Sequence, residues 1–209
     1  MRILVSFLIA LLMILPASVF GEEQQSRWSA YLLYSEFSPD LADWEQGYGD
    51  RDMHGWQVGI SFKAKTWLEF GLATGYHEAT GQGFLPLNDT TGGQVEYLLA
   101  PVELYLEVHG RFSASQWLVP YIGGGYSYVF YQLDITNQEE REGKAQGHHY
   151  KLGVRASLNP LDPAAARQLQ KAWGIERTSV LIEAKSLNLK KNNLDLGGRS
   201  YSLGLVFEF

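Results

Sequence analysis

Cysteine is absent from all 209 residues. That excludes disulfides, a lipid-modified N-terminal cysteine, thiol nucleophiles and thiolate metal sites. A domain exported without disulfides is stabilised by its fold alone. Long apolar runs are equally scarce: beyond the first residues, none approaches the roughly 20 that a spanning helix requires. Positive charge is in deficit, with 17 Lys and Arg against 23 Asp and Glu. No basic cluster with interleaved aromatics appears, so general nucleic-acid binding is excluded. No phosphate-cradling loop, nucleophile elbow or zinc motif occurs, and Gly123-Gly-Gly125 falls inside a strand pattern, where it reads as packing. No cofactor is expected.

What is present begins with Met-Arg, an apolar run from Ile3 to Leu15, and small residues near Val19 and Gly21 ahead of Glu22-Glu23. This is the layout of a secretory signal peptide. The rival reading, an anchoring helix, has marginal length and no basic stop signal behind it. Residues 1–21 are expected to be removed, with cleavage after Gly21, leaving 22–209 as one domain of about 190 residues. The chain is rich in Gly (22), Tyr (12) and Trp (6), and its mean hydropathy is only −0.16. Alternating apolar and polar positions dilute hydropathy to this level.

Alternation is sharpest in Arg199–Phe209. Tyr201, Leu203, Leu205, Phe207 and Phe209 share one face; Ser200, Ser202, Gly204, Val206 and Glu208 share the other. A period of two specifies a strand, and eleven residues suffice for a tilted strand to cross a bilayer's hydrocarbon layer. Seven further segments follow the same rule: 28–37, 54–64, 67–77, 95–109, 117–133, 147–158 and 178–189. In the first the alternation is blurred and no face is assigned. Polar connections are expected at 38–53, 78–94, 134–146 and 190–198, alternating with short turns at 65–66 and 110–116. One break interrupts the all-β pattern. Asp162 as N-cap, Pro163 at the first helical position and Gly174 past the end predict a helix over 163–173.

Two of these segments carry a family resemblance. A closing strand with aromatics at alternate positions ending on Phe209, and Pro120-Tyr-Ile-Gly-Gly-Gly-Tyr-Ser-Tyr128 in the fifth strand, resemble small bacterial outer-membrane barrels of the OmpA and OmpW type. The resemblance implies an eight-stranded, antiparallel, up-and-down transmembrane β-barrel, with one short helix between strands six and seven. It also implies that the barrel insertion machinery reads the terminal strand, and that lipid and lipopolysaccharide are partners. Localisation in the outer membrane of a Gram-negative envelope follows.

Alternation alone leaves open a secreted, lipocalin-like barrel with its apolar face inside. Three features favour lipid outside. Glycines crowd the polar face (Gly59, Gly71, Gly75, Gly153, Gly204), as a narrow lumen demands. Aromatics gather at strand ends as two girdles: Trp56, Tyr76, Tyr128 and Tyr150 near outer loops, with Trp67, Trp117, Phe207 and Phe209 at the other end. The polar-face charges nearly balance, with Lys63, Lys151, Arg155 and Lys185 facing Glu69, Glu103, Glu107, Glu183 and Glu208, as enclosed charges must.

Eight of these charged residues, all but Glu208, are expected to form an ion-pair network that plugs the barrel. Structure or surface recognition through the outer loops would then be the role, with no catalytic site and no metal. An OmpW-like narrow conduit for small solutes is the alternative. A lipid A-modifying enzyme is a third class, since lipid A deacylases share the barrel. Their His-x-Ser-Asn pattern meets Ala184-Lys-Ser186-Leu-Asn188 here, with Ala184 where the histidine belongs, so Ser186 lacks a base. His54, His77, His109, His148 and His149 are read as surface or rim residues. The helix is expected to cap the inner mouth or to lie at the inner leaflet interface.

Overall fold

The computed structural model describes residues 27–40, 52–84, 91–113, 116–135, 141–191, 194–195 and 197–209. The predicted export signal lies outside them. Eight long strands close an antiparallel, up-and-down barrel: β1 (Trp28–Pro39), β2 (Met53–Lys65), β3 (Leu68–Phe84), β4 (Thr91–His109), β5 (Leu118–Ile135), β6 (Arg141–Ser157), β7 (Arg177–Lys191) and β9 (Gly198–Glu208). Each pairs with its sequence neighbour, and β9 pairs with β1 from Ser29↔Glu208 to Pro39↔Gly198, so no sheet edge remains within the spanning part. A closed sheet satisfies every backbone group internally, which lipid requires. The two-residue β8 (Leu194–Asp195) folds back on Lys190 and Lys191, structure that the expected 190–198 loop did not include.

The outward face is apolar along its whole circumference. Leu104, Ile122, Leu152, Ile182 and Leu203 are all more than half exposed, which is the side-chain arrangement of a protein whose solvent is acyl chain. The blurred first strand resolves on the same rule. Ser29, Tyr31, Leu33, Ser35 and Phe37 are buried inside, whereas Trp28, Leu32 and Tyr34 point out. Both faces carry apolar residues, which is why sequence alternation was unreadable there.

Strand lengths differ from expectation on the outer side. β3 and β4 pair through Glu78↔Leu98, Thr80↔Glu96 and Phe84↔Thr91, converting most of the expected 78–94 loop into hairpin. β5 and β6 likewise pair to Leu133↔Arg141, inside the expected 134–146 loop. Backbone ladders continue wherever both partners are in register, whatever the side chains. Beyond the hydrocarbon layer nothing imposes an apolar outer face, so these extensions carry no periodic signal. Pro101 lacks an N–H, and the β3–β4 ladder is interrupted opposite it between Thr74↔Val102 and His77↔Leu99.

The helix α1 (Pro163–Trp173) occupies the predicted residues, with Asp162 as N-cap and Gly174 in the left-handed region at φ 69°. It leans on β7, and none of its residues is buried.

Candidate functional site

The lumen is built from the inward residue of every strand pair, and its side chains stack in layers. Nearest the inner mouth, Glu208 of β9 collects three cations: Lys63 Nζ at 2.6 Å, Arg111 at 2.9 Å and Arg177 at 3.9 Å. The next layer holds Arg155. Its guanidinium donates to both oxygens of Glu69, at 3.2 and 3.1 Å, and to Glu107 at 2.7 Å. Ser61 donates to Glu69 at 3.0 Å, and His109 Nε2 to Glu107 at 3.0 Å.

At mid-height three tyrosines, Tyr31, Tyr105 and Tyr121, fill the cross-section with Leu33, Leu181 and Val206. Lys151 joins this layer to its neighbour, reaching Glu107 at 2.5 Å and Glu183 at 3.6 Å while lying 3.5 Å over the Tyr105 ring. Tyr121 donates to Glu183 at 2.6 Å. Above it, Lys185 donates to both oxygens of Glu103, at 2.8 and 3.0 Å, and Gln57 donates to Glu103 at 2.8 Å. Ser127 and His149 share a hydrogen bond of 2.7 Å, Ser35 and His77 one of 2.5 Å. The outer end is closed by apolar side chains, among them Phe37, Met53, Leu99, Val129, Leu187 and Leu189.

All eight residues named from sequence as a lumen network therefore point inward, and each has an opposite charge within 4 Å. Several members were missed. Arg111 sits two residues past β4 and Arg177 is the first residue of β7, and both reach Glu208. The histidines need correction: His77, His109 and His149 are buried in the lumen, while His54 and His148 face outward. Parity held the missing signal, since His109 lies two residues from Glu107 and His149 two from Lys151, on the same face. The apolar outer plug was also unforeseen, because its residues come from seven strands and form no local motif.

Glu69, Glu107 and His109 offer ligand atoms within 4.8 Å of one another. Arg155 already neutralises both carboxylates, and a divalent ion would have to displace it. The arrangement is chemically one of compensation: charges are matched and hydroxyls bridge them, and the two serine–histidine pairs, Ser127 with His149 and Ser35 with His77, are buried within the lumen.

Inward tyrosines owe their seats to glycines on the neighbouring strand. Tyr31 pairs with Gly59, Tyr105 with Gly71, Tyr121 with Gly153 and Tyr131 with Gly143. In each pair the ring lies where a Cβ on the glycine would be. Gly71→Val should therefore push Tyr105 off Lys151 and destabilise the barrel by about 1–3 kcal/mol through overpacking. A urea-unfolding midpoint read by heat-modifiability gel checks this, and Tyr105→Leu added to Gly71→Val should recover most of the loss.

The aromatics expected as girdles lie on the outside. Trp56 and Tyr76 are cross-strand partners toward the outer end, with Tyr128 and Tyr150 on β5 and β6. At the inner end Phe209 N–H donates to the Trp28 carbonyl at 2.8 Å, Phe207 lies on the same strand face as Phe209, Trp67 stands at the β2–β3 turn and Trp117 just before β5.

The model of the outer membrane protein beta-barrel domain family matches residues 7–209. Among solved structures the chain is similar to Neisserial surface protein A, with a TM-score of 0.59 at 12% identity, over 90% of this chain and all of that one. It is also similar to Ail of Yersinia pestis, solved in complex with the heparin analogue sucrose octasulfate, at TM-score 0.51, 10% identity, and the same shares of each chain. The N-terminal barrel domain of Pseudomonas aeruginosa OprF matches at TM-score 0.50 and 12% identity, covering 89% of this chain and all of that domain. No curated protein sequence matches the chain.

Proposed function

From the premise that this chain belongs to the outer membrane protein beta-barrel domain family, and so resides in the outer membrane, we propose that it is a plugged barrel. Its role is to stabilise the envelope and to present outer hairpins for recognition, without a catalytic centre. The observation that carries this reading is the layering of the lumen: paired charges from Glu208 at the inner mouth up to Glu103 and Lys185, then an apolar layer. An ion entering from outside would have to pass Leu99, Val129 and Leu189. Stripping its hydration there costs several kcal/mol with little to replace the water.

Recognition follows from the hairpins that rise above the hydrocarbon layer. Their described outward charges are mostly acidic, with Glu36, Glu78, Glu96, Asp134 and Glu142 against Lys144 and Arg199. A polyanion of the kind seen with Ail would be repelled by that face, and a cationic ligand is the better fit. Lipopolysaccharide and phospholipid contact the apolar belt, and the insertion machinery engages β9.

Planar-bilayer recording tests the plug. The refolded protein should give no discrete current steps under voltage. Reproducible steps whose size changes with Glu103→Gln would refute it and establish the narrow-conduit reading instead.

A further inference from the structure

The inserted helix between β6 and β7 is a built unit whose apolar side is only partly covered: Ala165, Ala166 and Leu169 are half-buried, while Trp173 and Leu161 stand exposed. Asp162 accepts hydrogen bonds from the Ala164 and Ala165 amides at 3.0 and 2.9 Å, and the Gly174 amide closes the last turn on the Gln170 carbonyl at 3.0 Å. Asn159 ties entry to exit. Its amide donates to the Glu176 carbonyl at 2.7 Å and its oxygen accepts from the Thr178 amide at 3.0 Å. The helix is thus held in a fixed attitude against the inner rim rather than tethered as a loop.

Its two sides are chemically distinct. At 3.6 residues per turn, Ala165, Ala166, Leu169 and Trp173 form one arc and Arg167, Gln168, Gln170 and Lys171 the other. The helix itself contains no acidic residue. Trp173 is 69% exposed and Leu161, at its approach, 79% exposed. Trp117, 59% exposed, lies at the root of the insertion, where its carbonyl accepts from the Ser157 amide at 2.7 Å. Trp117 in turn precedes Leu118, on the outward face. Trp117 thus stands where the root of the insertion meets the lipid-facing belt.

We propose that α1 is an interfacial anchor, seated in the headgroup region of the inner leaflet with Trp173 and Leu161 among the upper acyl carbons and Arg167 and Lys171 on lipid phosphates. Of the two seats expected from sequence, the barrel mouth is disfavoured. Lys63, Arg111 and Arg177 already surround Glu208 there, and a cationic helix would be repelled. Anionic phospholipid supplies both what the tryptophan and what the basic residues require. The seat does not depend on whether the barrel conducts.

The absence of cysteine makes the test direct. Leu161→Cys, Trp173→Cys and Arg167→Cys are each labelled with a nitroxide in the full chain, refolded into vesicles of phosphatidylcholine and phosphatidylglycerol, and checked for folding by gel mobility. Collision with oxygen against a water-soluble nickel chelate is then read by paramagnetic resonance. The oxygen-to-nickel ratio should be several-fold higher at positions 161 and 173 than at 167. Leu161→Cys leaves Trp173 in place, so the readout survives if the tryptophan itself seats the helix. Equal nickel access at all three sites would place the helix in water, awaiting a periplasmic partner. Shielding of 161 and 173 from both reagents would mean docking on protein. Either result overturns the anchor.

Discussion

Arg155→Met should destabilise the folded barrel by about 3–5 kcal/mol, the usual consequence of removing one member of a buried ionic cluster. The reason lies in what the substitution strands. Glu107 keeps Lys151 at 2.5 Å and His109 at 3.0 Å. Glu69 keeps the Ser61 hydroxyl at 3.0 Å, His109 at 3.6 Å and its cross-strand neighbour Lys63, which is already paired with Glu208 at 2.6 Å, so its charge is left in the lumen under-compensated. The partner substitution separates this cause from lost packing. Glu69→Gln combined with Arg155→Met should recover at least half of the loss, because a neutral amide needs no counter-ion. Unfolding in urea, followed by tryptophan fluorescence and gel mobility, measures both. If Arg155→Met left the midpoint unmoved, bulk water would have to reach this layer, and the plug would be porous.

The second large effect concerns the opposite face. Ile182 lies outward on β7, 62% exposed, with Val154 and Leu203 as its cross-strand partners. Ile182→Arg should cost about 2–4 kcal/mol, the depth-dependent penalty for a cation facing lipid near the midplane. The same exposed position on a water-soluble barrel would tolerate arginine to within about half a kcal/mol. An internal comparison sharpens the contrast. His54 is outward on β2, with its ring 3.8 Å from Glu36, so His54→Arg should change stability by no more than about 1 kcal/mol, as expected near an interface. Refolding yields in lipid vesicles, titrated with urea, read both variants. Equal tolerance at the two positions would mean that the apolar belt does not face acyl chains.

A strand that separates lipid from a crowded lumen must alternate strictly, and that constraint is written one residue at a time. The faces of β2, β6, β7 and β9 were therefore legible from single residues, as were the bounds of α1, where Asp162, Pro163 and Gly174 act within a few positions. The charged lumen set was legible for the same reason, since Lys151 and Arg155 share the parity of Gly153 while Glu103, Glu107 and Lys185 alternate with the apolar Leu104, Leu106 and Ile182.

Three things were decided only by the tertiary structure. The hairpins extend to Phe84 and Arg141 because backbone pairing needs register, not hydrophobicity, and water outside the membrane imposes no pattern. Phe37, Met53, Leu99 and Leu189 meet as a plug only once the sheet has closed, since residues of remote strands become neighbours by the circumference they share. Which cation meets which carboxylate belongs to the same class. Arg155 finds Glu69, 86 residues away, because closing β9 on β1 sets the stagger of every strand at once. Local alternation places a charge inside the barrel; the height at which it sits, and hence its partner, is a property of the whole closed sheet.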